Sequence, residues 1–233
     1  MNLPALPTIT AGNTQSFCVG TVAASTYIVA TGVGTVRWYS DVALTTQVTA
    51  ITSPSLTNLG ISTVAASSNT FYVISDNGTC KSAAVTVNVN ITALPASPAI
   101  TGGSPKSYCV GTVAGTTTIN ATGAATIRWY SDIALATQVT TGTSATLTTL
   151  GISTAVASSA TFYLVSDDGV CKSILTPLVV NITALPALNV FASATPICVG
   201  NTVSFVASAS GIGVQYQFEL KKGGVSQAIQ AYS

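Results

Sequence analysis

Between Val85 and Ile91 the chain alternates without interruption: Val85, Val87, Val89 and Ile91 are apolar, and Thr86, Asn88 and Asn90 are polar. A period of two places all the apolar side chains on one face of an extended segment, so this stretch reads as a half-buried β-strand. The same alternation recurs earlier. Thr26–Thr31 puts Ile28 and Ala30 together, Val36–Ser40 puts Val36 and Trp38 on one side with Arg37 and Tyr39 on the other, and Thr70–Ser75 opposes Phe71 and Val73 to Tyr72 and Ile74. Asp76-Asn77-Gly78 supplies turn chemistry, because Asx and Gly residues tolerate positive φ. The β-branched residues Thr and Val are abundant and helix formers such as Glu, Lys and Gln are scarce, which gives an all-β chain.

The pattern repeats at an offset of about 91 residues, the step from Leu3-Pro4 to Leu94-Pro95 and on to Leu185-Pro186. Cys18-Val19-Gly20 returns as Cys109-Val110-Gly111, Arg37-Trp38-Tyr39-Ser40-Asp41 as Arg128-Trp129-Tyr130-Ser131-Asp132, and Cys80-Lys81-Ser82 as Cys171-Lys172-Ser173. Residues 1–93 are read as the first repeat, 94–184 as the second, and 185–233 as the N-terminal part of a divergent third. The third has Ile197-Cys198-Val199-Gly200, a strand-like Thr202–Val206, and Gln215-Tyr216-Gln217-Phe218 where the others have Arg-Trp-Tyr. A sandwich lacking half its strands leaves an apolar face and open edges, so continuation of the polypeptide beyond Ser233 is the expectation. The second copy of the alternating strand contains Pro177, which predicts an edge strand or a bulge there. Roughly seven short strands in about 90 residues is the signature of an immunoglobulin-like sandwich. Connectors such as Leu94-Pro95-Ala96-Ser97-Pro98 are semi-rigid, so the sandwiches are expected to follow one another as a rod.

Composition changes the picture in one respect. Apolar residues make up 48% of the chain and charged residues only 6%, with 7 basic against 6 acidic side chains. No basic stripe is available for nucleic acid or an anionic bilayer. Mean hydropathy is +0.57, yet Ala and Val are interleaved with Thr, Ser and Gly, so no uninterrupted membrane-spanning run arises. The N-terminus shows no charged region followed by an apolar stretch of the signal-peptide kind. A surface carried by hydroxyls instead of charges suits an extracellular repeat.

Five cysteines occur: Cys18, Cys80, Cys109, Cys171 and Cys198. Equal spacing in the two copies suggests the disulfides Cys18–Cys80 and Cys109–Cys171, with Cys198 left unpaired; buried free thiols are the alternative. No histidine and no CxxC spacing is present, so a metal centre is not expected.

The succession Cys-x-Gly, Arg-Trp-Tyr-Ser, Thr-Phe-Tyr-Val/Leu and Gly-x-Cys-Lys-Ser followed by a Val-rich strand resembles the Ig-like repeats of very long secreted and cell-surface proteins of Bacteroidota. That family includes adhesins of gliding bacteria and substrates of the type IX secretion system. The resemblance covers both full copies and implies an extracellular location, an export signal upstream and a sorting domain downstream. Antibody-type domains carry their bridge across the centre, whereas here Cys18 precedes the second strand and Cys80 follows the strand holding Phe71. A bridge near one end of the sandwich is therefore expected.

Catalysis needs an acid, a base or a nucleophile with a partner. Histidine is absent, Glu219 is the one glutamate, and Asp41, Asp76, Asp132, Asp167 and Asp168 all fall in turns, so no catalytic or cofactor-binding residue is assigned. Asp41 and Asp132 read as turn caps. Asp167-Asp168-Gly169 could offer oxygens to Ca²⁺, but the first copy has one carboxylate fewer. Trp38 and Trp129 are read as core anchors, with sugar-stacking platforms as the alternative; Tyr27, Tyr39 and Tyr72 are the expected exposed aromatics. The sequons at Asn77, Asn90, Asn120 and Asn181 are attributed to chance in a Thr-rich chain.

The reading is a structural or adhesive segment, not an enzyme. Its partners would be neighbouring repeats, like chains in a filament, or surface glycans. A glycan- or surface-binding module and accessory repeats of a secreted hydrolase are the alternatives.

Overall fold

In the computed structural model, residues 2–193, 195–196, 198–210, 217–222 and 225–229 are described. The first sandwich contains β1 (Thr8–Ile9), β2 (Thr14–Cys18), β3 (Ala30–Thr31), β4 (Thr35–Tyr39), β5 (Gln47–Thr49), β6 (Ser67–Asp76) and β7 (Val85–Thr92). One sheet has the order β2-β7-β6-β4-β5; the facing sheet pairs β1 with β3 and continues through a Tyr27–Ser55 bridge. All neighbours are antiparallel except β2 and β7, which run parallel from Thr14↔Asn88 to Cys18↔Thr92. A first strand that switches sheets to lie parallel to the last, opposite a short second sheet, is the topology of an immunoglobulin-like sandwich.

The second sandwich repeats this plan with β8 (Ala99–Ile100), β9 (Lys106–Cys109), β10 (Thr118–Thr122), β11 (Thr126–Tyr130), β12 (Gln138–Thr141), β13 (Ser144–Thr146), β14 (Ser158–Asp167) and β15 (Thr176–Thr183). Its sheets are β9-β15-β14-β11-β12 and β8-β10-β13, with β9 parallel to β15. Beyond it, β16 (Leu188–Ala192) pairs with β17 (Phe205–Ala209), and β18 (Glu219–Lys222) pairs with β19 (Val225–Ile229). The strand expected over Thr202–Val206 thus begins only at Phe205. Gln215 and Tyr216 of the expected third-copy motif, and Ile197, lie outside the described residues.

Each core is what the period-two pattern selects. Ile28, Val36, Trp38, Val73, Val87 and Val89 are closed to solvent in the first sandwich, and Ile119, Ile127, Trp129, Leu164, Leu178 and Val180 in the second. Burying a side chain of this size contributes about 1.5–3 kcal/mol, and the buried residues form two separate clusters, one in each sandwich. Both faces of β6 are covered at its C-terminal half, since Ile74 is as buried as Val73.

Pro177 departs from the edge-strand expectation, because β15 lies between β14 and β9. The reason is local. Pairing with β9 begins only at Val180, and the N–H of Val179 is taken by Ser104 Oγ at 3.0 Å. Residues two apart point their N–H groups to the same side, so the proline nitrogen faces a stretch where no strand is present to receive a donor. No bulge interrupts the β14–β15 register at that point.

Ser75 and Ser166 are fully buried, and their hydroxyls have no hydrogen-bond partner. Each fills the space left by a glycine: a Cβ on Gly32 would overlap Ser75 Oγ, and one on Gly123 would come within 2.8 Å of Ser166 Oγ. Gly32→Ala should therefore destabilise the first sandwich by about 1–3 kcal/mol through overpacking. Adding Ser75→Ala removes both the overlap and an unsatisfied hydroxyl, and should recover most of that loss. Urea midpoints of the single and double variants check this; a double variant no more stable than Gly32→Ala would refute it.

Candidate functional site: the joint between repeats

The cysteines build the most distinctive feature of the chain. Because β2 runs parallel to β7, Cys18 finishes beside Thr92, at the lower pole where the chain leaves the first sandwich. Cys80 sits at the upper pole, in the turn between the end of β6 and the start of β7. There Asp76 bridges Lys81, and Asn77 N–H bonds to Cys80 O at 3.2 Å. The 8 residues of β7 separate the two poles, a span of about 26 Å at 3.3 Å per residue. A disulfide needs Cα atoms roughly 4.4–6.8 Å apart.

The expected Cys18–Cys80 and Cys109–Cys171 bridges are therefore corrected. The structure joins Cys18 to Cys171, with Cα atoms 5.7 Å apart and 153 positions between them in sequence. The lower pole of the first repeat is thus bonded to the upper pole of the second. Cys80, Cys109 and Cys198 carry no disulfide. Cys18 Sγ also lies 3.4 Å from Val170 O, a packing contact, since a bonded sulfur has no proton to donate. The expectation of a bridge near one end of a sandwich held for neither copy, because the two cysteines of each copy stand at opposite ends.

The turn holding Cys171 is preorganised. Gly169 takes φ +89, a left-handed conformation that a glycine adopts at low cost. Asp167 Oδ1 accepts from Gly169 N–H at 2.9 Å, and Asp168 Oδ1 accepts from Val170 and Cys171 N–H at 2.9 and 2.7 Å. These carboxylates face backbone donors, so they serve as turn caps and do not form an outward-facing Ca²⁺ cradle. Among the described residues no group of three metal-ligating side chains assembles. Arg128 Nε holds Asp167 at 2.7 Å, and Lys172 Nζ lies over Tyr130, 3.1 Å from its hydroxyl. The connector adds its own restraint. Ser97 Oγ donates to Ile174 O at 2.9 Å, Thr176 Oγ1 donates to Pro98 O at 2.7 Å, and Pro98 is buried. Leu94 is half-buried here, while its counterparts Leu3 and Leu185 are 72% and 61% exposed.

Trp38 and Trp129 have 0% exposure. Their indole N–H groups donate to Ile51 O at 3.0 Å and Gly142 O at 2.8 Å, and the edge of Phe71 meets Trp38. Neither ring face is open to a sugar. Of the tyrosines expected at the surface, Tyr27 is 57% exposed and Tyr72 half-buried, but Tyr39 is buried, with Lys81 Nζ 5.9 Å from its ring centre. The Lys81 ammonium lies over the ring from the following turn, a neighbour that alternation alone does not reveal.

The acidic turns also carry a pH dependence. Backbone N–H donors hold Asp41 (from Thr45 and Thr46), Asp132 (from Ala136 and Thr137) and Asp168 (from Cys171 and Val170) below the usual aspartate range. Asp76 is lowered first by Gly78 N–H and then by Arg37. A carboxyl with a depressed folded pKa stabilises the fold above its unfolded pKa and loses that contribution as pH falls through the folded value. Histidine is absent, so the melting temperature should be level from about pH 5 to 8 and decline below about pH 4. A transition between pH 6 and 7 would contradict this assignment.

No protein-family model and no curated protein matches the chain. Among solved structures it is similar to the titin domains Z1Z2 in complex with telethonin, at 13% identity and TM-score 0.26, covering 79% of this chain and 100% of that one. It is similar to the N-terminal Ig1-2 module of the Drosophila receptor protein tyrosine phosphatase DLAR, at 13% identity and TM-score 0.25, covering 76% and 98%. Human CDH23 EC21-23 follows at 15% identity and TM-score 0.24, covering 95% and 85%.

Proposed function

We propose that this chain is a structural segment of an extracellular or cell-surface adhesin stalk or filament, supplying reach and stiffness. The observation that carries the reading is the bond from Cys18 to Cys171, which ties one sandwich to the next. A disulfide within a sandwich would stabilise that sandwich alone. One across the joint removes bending and twisting between neighbours, which matters to a load-bearing or spacing element. A persistent disulfide also favours an oxidising compartment.

Two further features support this role. The two full copies are identical at well over half their positions. The outer surface is carried by hydroxyl–amide pairs such as Ser68–Asn90 and Ser159–Asn181, each at 2.7 Å, in place of charges. The resemblance to Ig-like repeats of gliding adhesins and type IX substrates agrees with this reading and supplies its cellular context.

Antibody labelling of intact source cells, viewed by electron microscopy, tests the proposal. Label along elongated surface fibres is the expected result. Label confined to the cytoplasm, or to globular particles, would overturn it.

A further inference from the structure

We infer that Cys109 and Cys80 are the two halves of a second head-to-tail disulfide. Cys109 would accept the upper-pole cysteine of another repeat, and Cys80 would accept the lower-pole cysteine of one; a second copy of this chain can supply either. The argument rests on the two ends of the bond already formed. Cys109 closes β9 against Thr183 as Cys18 closes β2 against Thr92. The following glycines are held alike, Gly20 N–H to Thr63 O and Gly111 N–H to Thr154 O, both at 2.9 Å. Each takes φ +87. At the upper pole, Cys80 N–H donates to Asn77 Oδ1 at 2.8 Å, as Cys171 N–H donates to Asp168 Oδ1 at 2.7 Å. The preceding glycines match again, with φ +87 at Gly78 and +89 at Gly169.

The unbonded pair therefore has the backbone of the bonded pair. It is also accessible, since Cys109 is exposed and Cys80 half-buried. Cys80 cannot satisfy Cys18 of its own repeat, which lies at the far pole, and Cys109 stands in the same relation to Cys171. Both thiols are thus placed for a partner outside their own sandwich, and the Cys18–Cys171 bond shows which kind of cysteine that partner presents. Complementarity is the essential point: a lower-pole thiol bonds an upper-pole thiol, never its own kind. Bond formation is an exchange with a small-molecule disulfide oxidant such as oxidised glutathione. The Cys109 thiolate attacks it and forms a mixed disulfide, releasing one glutathione thiol. The Cys80 thiolate then attacks the Cys109 sulfur and releases the second, so two protein thiols are oxidised as one oxidant is reduced to two thiols.

Two variants of the full chain, each also carrying Cys198→Ser, test the inference. One carries Cys80→Ser and presents only Cys109; the other carries Cys109→Ser and presents only Cys80. Each is incubated with oxidised glutathione alone and as an equimolar mixture, then separated without reductant and mapped by mass spectrometry. The expected result is covalent dimer in the mixture alone, containing a Cys80–Cys109 peptide, with Cys18–Cys171 intact in both chains. Covalent dimer from either variant alone, or monomer throughout, overturns the inference. Loss of the Cys18–Cys171 peptide would show a failure of the premise instead, and would overturn it on that ground. Near-ultraviolet circular dichroism confirms that both variants remain folded during the incubation.

Discussion

Trp38→Ala is expected to unfold the first sandwich while leaving the second intact. The indole has 0% exposure and lies at the centre of a cluster with Val36, Phe71, Val73, Val87 and Val89. Truncation of a buried tryptophan costs about 3–5 kcal/mol through lost burial and the cavity left behind. It also orphans Ile51 O, which accepts the indole N–H at 3.0 Å. Against the 5–15 kcal/mol stability typical of a domain, that loss is decisive or nearly so. Because Trp129 occupies a separate cluster, thermal unfolding of Trp38→Ala should split into two transitions. Trp129→Ala should produce the mirror pattern. A single transition at the unaltered midpoint would remove the core-anchor assignment, and lost sugar binding with unchanged melting would replace it.

The second large effect comes from breaking the joint. Cys18→Ser or Cys171→Ser opens a loop spanning a sequence separation of 153, for which the chain-entropy relation gives about 5 kcal/mol. The denaturation midpoint should fall markedly in both variants, while the strand content at 25 °C stays unchanged, since neither cysteine belongs to a core cluster. Cys80→Ser is the control. Its thiol is unbonded within the chain, so its midpoint should match that of the parent. Equal losses for Cys80→Ser and Cys18→Ser would point to bonding within each copy.

These two effects mark what the chain makes legible and what it hides. The sandwich was readable because burial on one face imposes a period of two, and Val87, Val89 and Ile91 follow it without exception. The buried tryptophans were readable because each lies within a strand two positions after an apolar residue, Val36 before Trp38 and Ile127 before Trp129. Pro177 was read as marking an edge or a bulge, yet it tolerates its place because β9 is too short to reach it. Tyr39 was read as outward-facing, which its position is, but Lys81 covers it from the following turn.

The cysteine pairing was hidden for a different reason. Equal separations in two copies are consistent with bonding within a copy and with bonding from each copy to the next, because a repeat preserves both. What distinguishes them is which pole each residue occupies, and that depends on the first strand running parallel to the last. The signal was available in principle. An immunoglobulin-like plan with a parallel first–last pair carries Cys18 to the end where Thr92 leaves, while Cys80 precedes the start of that same last strand. The sequence separation of Cys18 and Cys80 says nothing of this.

The central claim is that the disulfide crosses the joint. Proteolysis of the unreduced protein under thiol-blocking conditions, followed by mass spectrometry of the linked peptides, tests it directly. The account predicts an abundant cross-link between the peptides of Cys18 and Cys171, with neither cysteine linked to the other cysteine of its own copy. Cross-links of Cys18 to Cys80 and of Cys109 to Cys171, or blocked thiols at both Cys18 and Cys171, would contradict it.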